Sequence, residues 1–149
     1  MNASPSSLRL VYRPDNAARG EVTVMVTTEG FSGQGSAWFD RTEIEDFIAQ
    51  LESCVTADDP MPALAGGFFA ASRLIDEHVG LRILPHDTVG RPRVRVHVAT
   101  IVPSGSGADL RQELTASFVT TAADVARFRE ALTAVLAGQG REAVLEGRR

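Results

Sequence analysis

The stretch Glu21-Val22-Thr23-Val24-Met25-Val26-Thr27-Thr28-Glu29-Gly30-Phe31-Ser32-Gly33-Gln34-Gly35-Ser36-Ala37-Trp38-Phe39-Asp40 reads as a β-hairpin that runs into a capped helix. Val22, Val24 and Val26 alternate with Thr23, Met25 and Thr27, and this period of two predicts a strand over Glu21–Thr28. Glu29–Gly33 is turn chemistry, so Gln34–Phe39 returns as the second strand. Gly35, Ser36 and Ala37 on that strand leave room for another element to pack close. Asp40 can cap a helix: Glu43 follows three residues later, and Phe39 and Ile44 stand at the two positions of a hydrophobic staple. A second box, Thr42 with Glu45, lies two residues on. Ile44, Phe47, Ile48 and Leu51 make the apolar stripe, and the helix is expected to fade near Cys54, before Asp58-Asp59-Pro60.

The same order recurs downstream. Arg91–Val102 alternates as a strand, Ser104-Gly105-Ser106-Gly107 is a turn, and Leu110–Val119 returns with Leu110, Leu114, Ala116 and Phe118 expected inward. Thr121 with Asp124 caps a second helix carrying Val125, Phe128, Leu132, Val135 and Leu136, and Gly138 stands where a left-handed stop is wanted. An offset of 81 residues superposes Ser36 on Ser117, Phe47 on Phe128 and Leu51 on Leu132, which hints at pseudo-symmetry. Leu8–Tyr12 and Leu81–Leu84 read as short strands, and Leu64–Ile75, broken by Gly66-Gly67, as either a bent strand, the favoured reading, or a short helix. Residues 1–7 are expected to be disordered, 8–137 to form one domain, and 138–149 to be a polar tail with at most one helical turn around Ala143-Val144-Leu145. The expected fold is α+β: one antiparallel, curved sheet of about six to eight strands with two helices on one face.

Composition narrows the function. The chain has 149 residues, 44% hydrophobic and 23% charged, which suits one domain with a sizeable core. All fifteen basic residues are arginine, so any chemistry that requires a lysine, such as a Schiff base or a P-loop, is excluded. The formal charge of −4 argues against a nucleic-acid binder. No membrane span or targeting segment is legible, so the expectation is a cytoplasmic protein, and the Arg, Ala, Gly and Val bias suggests a bacterial one.

No motif for catalysis, metal or cofactor is read. Gly30-Phe31-Ser32-Gly33-Gln34 misses the nucleophile elbow at Gln34 and precedes a strand, not a helix. His78, His86 and His97 lack metal-ligand spacing, and Cys54 is read as a small apolar residue near a helix C-terminus. Arg93, Arg95 and His97 share one face of a strand, either as an anion or acidic-partner stripe or as a solvated face whose arginines pair with Glu113. The segment 40–59 carries −6, from Asp40, Glu43, Glu45, Asp46, Glu52, Asp58 and Asp59 against Arg41, and leaves the rest of the chain at +2. Such an acidic face would steer a basic partner. Trp38, beside the stapled Phe39, faces the other way, as cover or as an exposed anchor.

Gly30–Asp40 followed by Phe47-Ile48-Ala49-Gln50-Leu51 resembles the WapI-type immunity proteins and related small bacterial domains. The second half is similar too, with a Gly-Arg strand at Gly90–Val102, a long strand at Leu110–Val119, and a closing helix with Phe128 and Leu132. The resemblance implies a non-enzymatic protein that covers a partner toxin, and it brings no catalytic residues. The expected contact residues are Glu43, Glu45, Asp46, Asp58, Asp59, Arg93, Arg95 and His97, against a partner with a basic surface. Two other readings stay open. One is a hydrolase or ligand-binding protein that uses the histidines, and the other is a self-assembling module that forms a homodimer through an edge strand such as Leu8–Tyr12.

Overall fold

A computed structural model describes residues 6–52, 61–102, 105 and 109–148. The chain is α+β, with eight strands and two helices among these residues. The order is β1 (Ser7–Pro14), β2 (Arg19–Thr27), β3 (Ser32–Asp40), α1 (Arg41–Glu52), β4 (Ala63–Ala70), β5 (Arg73–Pro85), β6 (Pro92–Val102), β7 (Leu110–Val119), α2 (Ala122–Leu136) and β8 (Glu142–Glu146). The strands divide into two antiparallel sheets of four, ordered β3-β2-β1-β8 and β4-β5-β6-β7, where one curved sheet was expected. No helix among the described residues is long and apolar enough to cross a membrane.

The division follows from a repeat in the topology. The unit β–β–β–α–β occurs twice, and each unit gives its last strand to the other's sheet: β4 pairs with β5, and β8 pairs with β1. At the offset of 81, Ile44, Phe47, Leu51 and Leu64 correspond to Val125, Phe128, Leu132 and Leu145. All eight are buried. The echo seen in the sequence is therefore a repeat of buried positions, and neither unit completes its sheet alone.

The strands alternate as their residues demand. Leu8, Leu10 and Tyr12, Val22, Val24 and Val26, Val79, Leu81 and Ile83, and Val94, Val96 and Val98 all point into one core. The small residues of β3 bring the sheets together: a Cβ on Gly35 would meet the His78 carbonyl and the Ala99 backbone. Phe39 packs on Gly66 of β4 in the same way. Of the two possible helix starts, the first is used, because α1 begins at Arg41 and the Asp40 amide donates to Glu43 Oε1 at 3.0 Å. Thr121 caps α2, accepting from the Asp124 amide at 3.0 Å, and Gly138 takes φ 75° just after the helix.

Four expectations are corrected. Residues 142–146 are strand β8 and not a tail or helical turn, since Ala143 and Leu145 are fully buried beside β1. β1 is accordingly an inner strand, which removes Leu8–Tyr12 as a dimerising edge. Leu64–Ile75 is strand as read, but it folds as a hairpin at Ala71 and Ser72, which take φ 52° and 63° without the glycine or asparagine that signals such a turn. Leu110 is exposed, unlike the partly or fully buried Leu114, Ala116 and Phe118. Cys54 lies outside the described residues.

Candidate functional site

The site begins with an irregular pairing of β4 and β5. Their register steps from Gly66↔Val79 to Gly67↔Glu77, which leaves His78 as an extra residue in β5. Gly67 makes this possible, because a Cβ there would run into the Asp76 carbonyl. The extra residue turns Glu77 towards His97 of β6, and Gly80, lacking a side chain, leaves space for the Glu77 carboxylate.

His97 then bridges two acids. Its Nδ1 lies 2.9 Å from Glu77 Oε1 and its Nε2 lies 2.9 Å from Glu113 Oε2. The ring is thereby held on both sides by carboxylates of the neighbouring strands. Arg111 extends the chain of charges, donating to Glu113 at 3.2 Å, to the Glu77 carbonyl at 3.4 Å, and to Asp76. Asp76 also meets His78 Nε2 at 3.1 Å. Partial burial opposes the charge on Asp76, but the hydrogen bonds from His78 and Arg111 outweigh it and hold the carboxyl below its ordinary range. Glu113 is lowered as well, first by His97 and then by Arg111.

This network is a connected array of acidic and basic side chains on the outer face of β5, β6 and β7. Beside it lies a hollow of about 250 Å³, lined by Glu77, Gly80, Arg82, Arg95, His97 and Thr115. Both ring nitrogens of His97 and one of His78 already face carboxylates, whereas a general base needs a free nitrogen aimed at its proton. His86 is exposed in the β5–β6 turn and joins neither.

Arg93, Arg95 and His97 do share the face opposite the buried Val94, Val96 and Val98. The expected pair between an arginine of β6 and Glu113 is corrected: the register sets Glu113 opposite Ala99, from which it reaches His97 instead. Glu43, Glu45 and Asp46 are exposed on α1 as expected. Glu43 is engaged at the helix cap, and Glu45 lies 3.9 Å from Arg41. Asp58 and Asp59 lie outside the described residues. No ion pair joins the described α1 acids to the β6 row.

A feature that the sequence reading passed over lies on the β4–β5 hairpin. Phe68, Phe69 and Ile75 are 59%, 47% and 63% exposed, three large apolar residues within one hairpin whose register slips a second time between Phe68 and Phe69. The paired Phe68-Phe69 was its only signal, and two adjacent aromatics in a strand read equally well as core. Trp38 is 45% exposed, so it is not core, and Arg19 stacks on its ring at 5.5 Å. Compared with protein-family models, curated proteins and solved structures, the chain matches none.

Proposed function

We propose that the protein is a non-enzymatic, immunity-type binding domain that holds a partner toxin through the β4–β5 hairpin. The observation that carries this reading is the exposure of Phe68, Phe69 and Ile75 together on one hairpin. Isolated apolar residues on a surface need no explanation, but aromatic anchors concentrated next to a polar rim have the make-up of an interface centre. Asp76, Glu77, Arg111 and Glu113 form that rim, with side chains already ordered by bonds to one another or to His97, which lowers the entropy lost on binding. The acidic surface of α1, with Asp46 exposed, serves to steer a basic partner and not to anchor it. The engagement of both His97 ring nitrogens supports a role in recognition over one in proton transfer.

The test is co-expression with the product of the neighbouring gene, scored by growth rescue and by co-purification. Rescue with a stable complex is expected, and Phe68→Ser with Phe69→Ser should abolish both without unfolding the domain. An unchanged complex in the double variant would remove the hairpin as the contact. Neither rescue nor complex with the parent chain would remove the immunity reading.

A further inference from the structure

We propose that the hollow on the outer face of β5–β7 is an oxyanion site, with Arg82 and Arg95 as its ligating side chains and the phosphate group of a small phosphorylated compound as its ligand. The register places Arg82 directly opposite Arg95. Like charges facing each other across an antiparallel pair repel. Neither guanidinium has an ion pair or hydrogen bond among the described residues. The nearest acids are committed elsewhere: Glu77 to His97, and Glu113 to His97 and Arg111. One step along the same face, the Nε of Arg93 is buried without a partner. The wall therefore presents positive charge and unmet donors that the chain's own acids do not satisfy.

The shape fits the same ligand. At about 250 Å³ the hollow falls below the size of sites for drug-like molecules and suits a single anionic group with a small substituent. Thr115, opposite His97 on β7, adds a hydroxyl donor to the lining. Guanidinium forks match the oxygen spacing of phosphate, and two of them balance a dianion, where a carboxylate brings one charge. The Glu77 carboxylate, also in the lining, is engaged by His97 at 2.9 Å and pairs with neither arginine. This site needs no protein partner and stands whether or not the hairpin binds one.

The experiment titrates inorganic phosphate into the full chain, with acetate and matched sodium chloride as parallel arms. Melting temperature and the arginine side-chain resonances are the readouts. Phosphate is expected to raise the melting temperature by about 3 °C or more at saturation. It should also move the Arg82 and Arg95 Nε signals, with acetate doing less and chloride nothing. Arg82→Gln and Arg95→Gln should each remove the rise while melting no lower than the parent in the absence of phosphate, since each relieves the repulsion. A rise reproduced by sodium chloride, equalled by acetate, or retained in both variants overturns the assignment, as do unmoved Arg82 and Arg95 signals.

Discussion

Arg148 closes on Asp124, its Nε 2.8 Å from Oδ2 and its Nη2 3.0 Å from Oδ1, and so ties the end of the chain to the first turn of α2. Asp124 is buried and also accepts from Thr121 Oγ1 at 2.7 Å and from Arg127. Around this clasp the Arg148 amide donates to the Val119 carbonyl at 2.7 Å, and Thr120 Oγ1 donates to the Glu146 carbonyl at 2.7 Å. A buried carboxylate with this many donors cannot be removed cheaply, because its partners lose their counter-charge together. Arg148 and Arg127 are themselves half or more exposed and regain water, so Asp124→Ala is expected to cost about 2 kcal/mol, within the range for hydrogen bonds to a charged group. Urea denaturation measures it, and a loss comparable to an ordinary surface substitution would show that the clasp is ornamental.

The same carboxylate sets the response to acid. Arg148 foremost holds the Asp124 carboxyl well below its ordinary range, against the opposing effect of burial, with Thr121 and Arg127 adding to the hold. Asp76 and Glu113 are lowered too. Carboxyls in the unfolded chain take up protons near pH ~4, while these folded ones still resist. Their stabilisation is thus complete above that value and is lost as the pH falls through the folded values. The melting temperature should drop steeply below about pH 4, and Asp124→Asn should flatten that limb while lowering the plateau at neutral pH. Parallel curves for parent and variant would rule Asp124 out as a source of the acid sensitivity.

Strand β8 gives a second test of the architecture. Ala143 and Leu145 are fully buried, and β8 covers the side of β1 that would otherwise be a sheet edge. Truncation after Gln139 removes the strand and the Arg148 clasp at once. Loss of cooperative unfolding is expected, read by calorimetry or by circular dichroism on heating. A truncated chain that melts like the parent would return residues 142–146 to the status of a tail.

Local signals explain what the sequence made legible. Both hairpins rest on period-two alternation, and both helices on side-chain caps, Asp40 with Glu43 and Thr121 with Asp124, which need no knowledge of distant residues. β8 escaped because its five residues, with Glu142 and Glu146 outside Ala143 and Leu145, are too few to show a period. The site escaped for a different reason. That Arg93, Arg95 and His97 share a face follows from alternation alone, but their partners depend on register, which sets Glu113 opposite Ala99. Register in turn depends on the connection between β6 and β7 and on an extra residue at His78, whose cause sits on the neighbouring strand at Gly67.

Gly67 is therefore where the candidate site is most vulnerable to a single methyl group. It has φ 157°, and a Cβ would meet the Asp76 carbonyl and the His78 amide, both backbone and both unable to move without shifting β5. Gly30, in the β2–β3 turn, has open space around it and serves as the control. Gly67→Ala is expected to destabilise the domain by about 1–3 kcal/mol, the usual cost of overpacking, and Gly30→Ala by less than about 0.5 kcal/mol. The displacement acts on the very residues that carry the network, so Gly67→Ala should also change the His97 and Arg111 side-chain resonances, which lie on other strands. Equal effects of the two substitutions, or a destabilised Gly67→Ala with unaltered His97 signals, would mean that the irregular pairing of β4 and β5 does not position the charged array.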